Sequence, residues 1–416
     1  MRVAIFLGGY VPANSGTYTF ERELLHALAD FKSSGDHEFF IFGWSQDIPS
    51  EIFSAPHIHF DKNVRNSQSR ISFKIAKLVH RKIFKYINQK HLIYFQSFIK
   101  KFISGQGSSL LKKIEYYNIE LAWFLALDCP TMEIPYIATV WDVQHRLQPY
   151  FPEVSSKGKW SNREAYFSET LRRAAFIITG TAEGKHEIEQ FFNIPSERIR
   201  IIPFATPNFS LEASLCTDMD REKILNKYNI TQDYLFYPAQ FWPHKNHINL
   251  LLALKQLKEE HDLLFSVVFA GSDKGNLSFV KKKVDELCLS GQVKFTGFIP
   301  CEDLLLLYQN AFALTFVSFF GPDNLPPLEA FALGCPVIAS RVPGAEEQLG
   351  HSAILVNPKN PTEIAWAIKS LKENPALRQA LIQKGLTRSN QWTGQDYIRE
   401  ICSILDEFAP IRRCWE

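Results

Sequence analysis

No run of the sequence approaches the roughly 18 consecutive apolar residues of a membrane-spanning helix, so any membrane contact is expected to be peripheral. C-x-x-C spacing is missing too. The seven cysteines, Cys129, Cys216, Cys288, Cys301, Cys335, Cys402 and Cys414, are scattered and odd in number, which argues for reduced thiols in the cytoplasm and against a zinc site. There is no solenoid repeat and no low-complexity tract. The opening apolar run, Val3 to Leu7, is too short for a signal-peptide core and meets Gly8-Gly9, so it reads as a first β-strand. Asp-x-Asp occurs once, at Asp218 to Asp220, in an irregular stretch where it reads as chance, and no metal site is expected.

Net charge is also small, +2 over 416 residues, and excludes little by itself. Its distribution says more. From Lys62 to Lys101 there are many Lys and Arg and no acid, interleaved with Ile, Leu, Phe and Tyr. A helix there is amphipathic and basic, a pattern drawn to an anionic membrane surface, although a solvated face packed on its own domain fits equally well. No nucleic-acid-binding motif accompanies the charge, so nucleic acid is not an expected partner.

With 46% hydrophobic residues, a chain of this length buries large cores and is expected to form two domains. Short β-branched and aromatic runs alternate with helical periodicity, the signature of α/β domains with parallel sheets. Strands are predicted at "VAIFL", "EFFIFGW", "ELAWFLA", "YIATVWD", "AFIIT" and "RIRIIPF", with helices over Thr17 to Phe31 and Thr181 to Phe192. The pattern loosens after "PFATPNF" and resumes with "YLFYPAQ", "LFSVVFAG", "QVKFTG", "AFALTFVSFF", "CPVIAS" and "AILV". Helices are expected near Lys245 to Glu259, Asn276 to Leu289 and Cys301 to Asn310, and beyond Pro361 only helices remain. This divides the chain into residues 1–207, 208–390 and a terminal helical segment 391–416. Two such sheets facing each other across a cleft form a two-substrate site, because open α/β sheets bind ligands outside the carboxyl ends of their strands.

The stretch "FGPDNLPPLEAFALGCPVIAS" marks one wall of that cleft. Gly321 and Pro322 end a strand, Asn324 is placed to cap the next helix, and Leu325, Pro326 and Pro327 occupy a first turn where proline costs little. The helix N-terminus then favours an anion such as a diphosphate, and Glu329, one turn in, can accept both hydroxyls of a ribose. A first-turn Glu that only complements the helix dipole is the plainer alternative. In "YPAQFWPHKNH", Lys245 sits at a predicted helix start, where a cation is unfavourable unless an anion such as phosphate compensates it.

Taken together, "LPPLEAFALGCPVIAS", "PHKN" and "SGTYTFERELLHAL" resemble the family 4 nucleotide-sugar glycosyltransferases, with further landmarks at "IITGTAEGKHEI", "IRIIPFATP", "FAGSDKG" and "VKFTGFIP". The resemblance implies the GT-B architecture, two Rossmann-like doubly wound domains with a C-terminal helix crossing back to the first, and retention of anomeric configuration. It implies that Lys245 contacts the donor diphosphate, that Glu329 holds the ribose and that the loop carrying Gly16 and Thr17 closes on phosphate. Relatives often carry an Arg where this chain has Gln240 and a first acid where it has Gly321; Asp323 and Asn324 are the candidate substitutes toward the transferred sugar, and His244 is expected to line the donor pocket. On the acceptor side, Asp142 and His145 follow a strand at the cleft edge, and either could orient the acceptor; they could equally cap the loop and satisfy each other. Trp141 stands where relatives often have a His.

The function expected from all this is metal-independent transfer of a sugar, mannose being a candidate, from a nucleotide-diphosphate sugar to a glycan or lipid-linked acceptor in cell-surface polysaccharide or lipopolysaccharide synthesis. The expected location is cytoplasmic or peripheral on the inner membrane face. A non-catalytic nucleotide-sugar or glycan-binding protein and a nucleotide-sugar epimerase or hydrolase remain alternatives at this point.

Overall fold

The computed structural model describes residues 1–9, 16–31, 37–44, 48, 50–61, 107–125, 133–211, 213, 216–321 and 323–415. The basic stretch 62–101, Ser15 and Cys129 lie outside the described residues.

The first sheet contains β1 (Arg2–Gly9), β2 (Glu38–Trp44), β3 (Ile58–Phe60), β4 (Leu121–Phe124), β5 (Tyr136–Thr139), β6 (Phe176–Thr179) and β7 (Ile199–Ile201). Their order is β3-β2-β1-β4-β5-β6-β7, every pair parallel. Parallel strands carry apolar side chains on both faces because helices cover both. Val3 and Ile5 accordingly join Phe39, Ile41, Leu121 and Trp123 in one core, while Ala4 and Phe6 join Phe40, Phe42, Ala122 and Phe124 in the other. The described helices of this half are α1 (Gly16–Asp30), α2 (Ser50–Phe53), α3 (Gly107–Tyr116), α4 (Gln144–Leu147), α5 (Pro152–Ser155), α6 (Lys159–Arg173) and α7 (Ala182–Phe192).

Between the sheets, α8 (Asn208–Leu211) is followed by α9 (Asp218–Lys227). The Asp-x-Asp string thus lies in a helical first turn, not in irregular chain, and Asp220 forms a reciprocal cap with Thr217. Among the described residues no His, Cys, Asp and Glu side chains cluster in a way that could hold a metal ion.

The second sheet comprises β8 (Tyr234–Pro238), β9 (Ser266–Ala270), β10 (Val293–Gly297), β11 (Ala313–Phe316), β12 (Val337–Ser340) and β13 (Ala353–Val356), in the order β10-β9-β8-β11-β12-β13 and again all parallel. This is the doubly wound order in which the strand sequence reverses between β8 and β11, where a crevice opens. Its helices are α10 (His247–His261), α11 (Leu277–Glu286), α12 (Cys301–Asn310), α13 (Leu325–Ala332), α14 (Ala345–Leu349), α15 (Pro361–Glu373) and α16 (Pro375–Ser389).

The last helix, α17 (Gly394–Arg412), leaves the second domain and packs beside α1 in the core of the first. Tyr397, Ile398, Ile401, Ile404, Leu405 and Phe408 recur at helical spacing and are all buried there. Both chain crossings are tied together: Trp392 Nε1 donates to Pro203 O at 2.9 Å and Thr206 N donates to Trp392 O at 3.2 Å. No described helix is long and apolar enough to cross a membrane.

Truncating Leu405, which is 0% exposed, should leave a cavity under the first sheet and cost about 2–5 kcal/mol. Trp366→Ala, at a residue 61% exposed, should stay within about 0.5 kcal/mol. Urea unfolding of the two variants checks both; equal midpoints would show that α17 contributes little to the first domain's stability.

Candidate functional site

The carboxyl ends of β8 and β11 frame the crevice. After β8 the chain enters a 3₁₀ turn, Pro243 to Lys245, and Asn246 adopts left-handed φ of 54° before α10 begins at His247. Lys245 therefore belongs to the turn ahead of the helix instead of its first residues. Asn246 locks that turn by donating to Val317 O at 2.8 Å and Pro358 O at 2.7 Å, and the buried Tyr237 hydroxyl donates to Lys245 O. Lys245 Nζ lies 4.8 Å from the centroid of the Phe316 ring, and among the described residues no carboxylate is within ion-pair distance of it. Burial pulls its pKa down to about 8, against the opposing fields of Glu153 and Asp142. Gln240 accepts from Trp242 Nε1 at 3.1 Å.

Across the crevice, Asn324 takes the N-cap position of α13 but does not cap it: its Nδ2 donates to Gly321 O at 2.6 Å. Gly321 has φ of 127°, and a Cβ there would sit 2.7 Å from the Asn324 side chain. Pro326 and Pro327 bring no N–H, so Leu325 is the residue of those three whose amide can meet an anion. Glu329, 6% exposed, accepts from the Tyr308 hydroxyl at 2.7 Å. Burial raises its pKa to about 7, the Tyr308 hydrogen bond opposes this, and Glu23 and Arg22 of α1 act from the other domain. Its carboxyl therefore lies within the electrostatic reach of both domains.

Asp323 is directed away from the crevice. Its carboxylate accepts from Phe204 N, across the domain boundary, at 2.7 Å and from the Gln348 side chain, and it packs on Gly180, where a Cβ would overlap it. The expected sugar partner is thus a bracket between domains. Burial lifts its pKa to about 7, with the Phe204 bond opposing and Glu347 adding to the rise. Glu347 itself accepts from Ala182 N at 2.9 Å, placing a carboxylate of the second domain on the N-terminus of α7.

In the first domain, Gly16 and Thr17 open α1; Gly16 is exposed with open space where a Cβ would stand, and Thr17 is half-buried. His145 points inward: it is 0% exposed, packs on Phe167 and Phe192, and pairs with Glu164 at 3.2 Å. Burial lowers its pKa, followed by the field of Arg163, with Glu164 opposing. A ring so enclosed cannot orient an acceptor. Asp142 is more open. Its Oδ1 accepts from Gln144 N at 2.9 Å and from Arg163 at 2.5 Å, while Oδ2 has no partner among the described residues.

Sequence reasoning missed two carboxylates. Glu153, in the first turn of α5, accepts from His244 N at 2.8 Å and from the His244 ring. Pro152 just before it was the available signal, since proline at N1 fixes where a helix begins. Glu187 on α7 is 4% exposed with Oε2 unpartnered, and burial, then Glu183 and Asp142, raise its pKa to about 7. Around Glu153 the domains meet: Phe151 contacts Phe319 and Phe320, His244 stacks on Phe320 at 4.1 Å, Gln148 donates to Phe319 O at 3.3 Å, and Lys159 lies over Trp242 at 5.1 Å.

Three carboxyl groups, those of Glu187, Asp323 and Glu329, thus titrate near 7 in the fold, against ordinary values of 4.5, 3.8 and 4.5. Between those limits the folded chain holds protons that the unfolded chain has lost. Their contribution to stability is therefore complete at the acid end and is lost as pH rises through about 7. Glu187→Gln should flatten this decline by up to about 1.4 kcal/mol per pH unit. Urea unfolding at pH 5 and 7.5 reads it, and an unchanged slope would show that Glu187 titrates normally.

Residues 220–388 match the family described as "Glycosyl transferases group 1". Over 246 residues, 59% of this chain and 64% of the relative, the chain is 26% identical to the O-antigen chain mannosyltransferase B of Escherichia coli. It is also 26% identical to the O-antigen chain mannosyltransferase RfbU of Salmonella typhimurium over 50% of this chain and 53% of that protein. The chain thus spans about half to under two thirds of the length of these curated relatives. A glycosyltransferase structure from Rickettsia africae superimposes with a TM-score of 0.67 at 16% identity over 98% of both chains. That of WaaG, a glycosyltransferase involved in lipopolysaccharide biosynthesis, does so with a TM-score of 0.65 at 14% identity, covering 97% of this chain and 99% of WaaG. Two Rossmann-like domains about a cleft are the GT-B arrangement, and the match to the group 1 glycosyl transferases covers residues 220–388, the body of the second domain.

Proposed function

We propose that the protein transfers a sugar from a nucleotide-diphosphate sugar to a glycan or lipid-linked acceptor, in the synthesis of a cell-surface polysaccharide, with retention of configuration and without a metal. The observation that carries this reading is Lys245, desolvated in the turn after β8 at the switch point of the second sheet, its Nζ over Phe316 with no carboxylate within ion-pair distance among the described residues. The similarity to O-antigen mannosyltransferases favours mannose as the sugar and a lipopolysaccharide-type glycan as the acceptor.

Lys245 and the Leu325 amide would take the diphosphate. As the bond from the anomeric carbon to the phosphate oxygen breaks, negative charge gathers on the leaving diphosphate, and a preorganised cation in a desolvated turn stabilises it at little reorganisation cost. A phosphate against Nζ would also return the Lys245 pKa toward its ordinary value, because it supplies the charge that burial withholds. Glu329 would hold the ribose hydroxyls, with Tyr308 fixing one carboxylate oxygen. On the acceptor side the reading favours Asp142, whose Oδ2 is open, while Arg163 holds Oδ1 in place. No enzymic nucleophile is assigned.

Thermal shifts with GDP, UDP, ADP and dTDP and their sugars test the donor reading. One base should stabilise the protein, and Lys245→Ala and Glu329→Ala should each abolish the shift. Lys245→Ala should cut kcat/KM by about 100-fold or more, the scale of one lost charge-stabilising donor. Turnover should be unaffected by EDTA; activity abolished by EDTA and restored by Mg²⁺ or Mn²⁺ would refute metal independence.

The basic sequence 62–101 supports a membrane-presented acceptor. Sedimentation with vesicles should show binding that grows with anionic lipid content and weakens with salt. Equal binding to neutral and anionic vesicles removes the electrostatic argument.

A further inference from the structure

We infer that Glu153 is a sugar-binding residue, supplied by the first domain to the donor cleft, whose free carboxylate oxygen accepts a hydroxyl of the transferred sugar or of the acceptor. The inference rests on the transferase reading above and names how that site recognises sugar.

Glu153 stands on α5, yet the groups that bind it belong to the second domain. Its Oε1 takes both the backbone N–H of His244, at 2.8 Å, and the His244 ring Nδ1. Its side chain is only 6% exposed, and Oε2 is buried from solvent with no hydrogen-bond partner among the described residues. An ionised carboxylate oxygen left unpaired in a desolvated place is unfavourable, and native proteins generally provide a partner from protein, water or ligand. Burial acts to raise the Glu153 pKa, but the hydrogen bonds from His244 outweigh it, so the group is ionised at neutral pH and can only accept.

Its surroundings narrow the chemistry of the partner. Glu153 is the strongest opposing field on Lys245, so the carboxylate lies beside the proposed diphosphate position without reaching ion-pair distance. An anion would be repelled from Oε2. A cation is already present nearby in Lys245, whose Nζ bonds neither oxygen. A neutral donor remains. His244 and Phe320 are stacked face to face at 4.1 Å with Phe151 edge-on to both, so an aromatic cluster braces the His244 ring that holds the carboxylate. The His244 ring cannot serve that hydroxyl through Nδ1, which is committed to Oε1. Burial holds its pKa at about 4, so the ring is neutral and Nδ1 is the donor toward Glu153. Each half of the pair is thereby fixed: one oxygen orients the carboxylate and the other faces a ligand.

The test is calorimetric titration of wild type and Glu153→Gln with GDP, UDP, GDP-mannose, UDP-glucose and UDP-N-acetylglucosamine. Methyl α-mannoside and methyl α-glucoside are then titrated into protein saturated with the nucleoside diphosphate that binds. The variant keeps one acceptor oxygen for His244 and replaces the other with a donor. The expected result is a Kd for the bare nucleoside diphosphate that is unchanged or somewhat tighter, because a negative charge beside the diphosphate has been removed, which also certifies the fold, and a Kd weakened on the order of 10- to 100-fold for its sugar conjugate. A loss confined to the methyl glycosides would assign the hydroxyl to the acceptor. In either case a deoxy analogue lacking the recognised hydroxyl should bind wild type and variant alike, which a merely structural clasp would not produce. The inference is overturned if sugar conjugates and glycosides bind both proteins equally, or if the bare diphosphate weakens as much as its conjugate. Failure of every nucleoside diphosphate to bind wild type would remove the transferase reading itself, and this inference with it.

Discussion

A positive charge held where the protein does not neutralise it organises the site. Taking an ammonium out of water is costly unless a partner repays it, and the fold spends considerable structure keeping Lys245 in place. Asn246 is held in a left-handed conformation, its side chain is spent on two backbone carbonyls from β11 and the chain after β13, and Tyr237 donates its hydroxyl to the Lys245 carbonyl. These contacts fix the backbone of the turn and leave Nζ over Phe316, with no carboxylate within ion-pair distance among the described residues. An arrangement so well braced yet electrostatically incomplete makes sense when the missing charge arrives with a ligand. The same logic accounts for α13, whose prolines remove competing N–H groups while its dipole stays directed at the crevice.

Closure of the domains depends on groups that do not themselves face the crevice. Asp323 brackets Phe204, Glu347 caps α7, and Phe151 packs edge-on against the stacked rings of His244 and Phe320, which follow β8 and β11. The two linkers, joined at Trp392 and Pro203, bring the ends of both sheets together while α17 anchors the return. Residues of one domain thereby act on side chains of the other. Glu23 and Arg22 act on Glu329, and Asp142 and Glu153 act on Lys245, in each case across the boundary.

The sheets were legible because parallel strands buried on both faces read as short apolar runs, and twelve of the thirteen described strands fall on such runs, the exception being the short β3. The proline-marked helix with Glu329 was legible for the same local reason, since Pro, Asn and Gly specify where a helix starts and stops. Direction was not legible. His145 and Asp142 are three residues apart, but α4 turns the imidazole into the core against Phe167 of α6. That helix carries few apolar residues, so its narrow buried stripe of Phe167, Thr170 and Leu171 gave little periodic signal. Asp323 was misjudged similarly: sequence places it beside the anion site, while its partner Phe204 lies 119 positions away. Long-range pairing decides where a carboxylate points, and a local pattern carries no record of it.

Carboxylates at this cleft therefore divide by what satisfies them. Asp323 has both oxygens engaged by protein donors, so it can hold domains together but has nothing left to offer a ligand. Glu329 accepts from a single tyrosine hydroxyl on one oxygen, and burial raises its pKa to about 7; under the proposed donor reading the other oxygen is the acceptor for a ribose. Glu153 is the intermediate case, clasped on one oxygen strongly enough to stay ionised and bare on the other. Since a sugar presents many similar hydroxyls, discrimination requires acceptors whose position is fixed before the ligand arrives. For Glu153 that fixing is supplied by His244, a residue of the other domain, so under the proposed sugar role the acceptor's position depends on how the two domains pack.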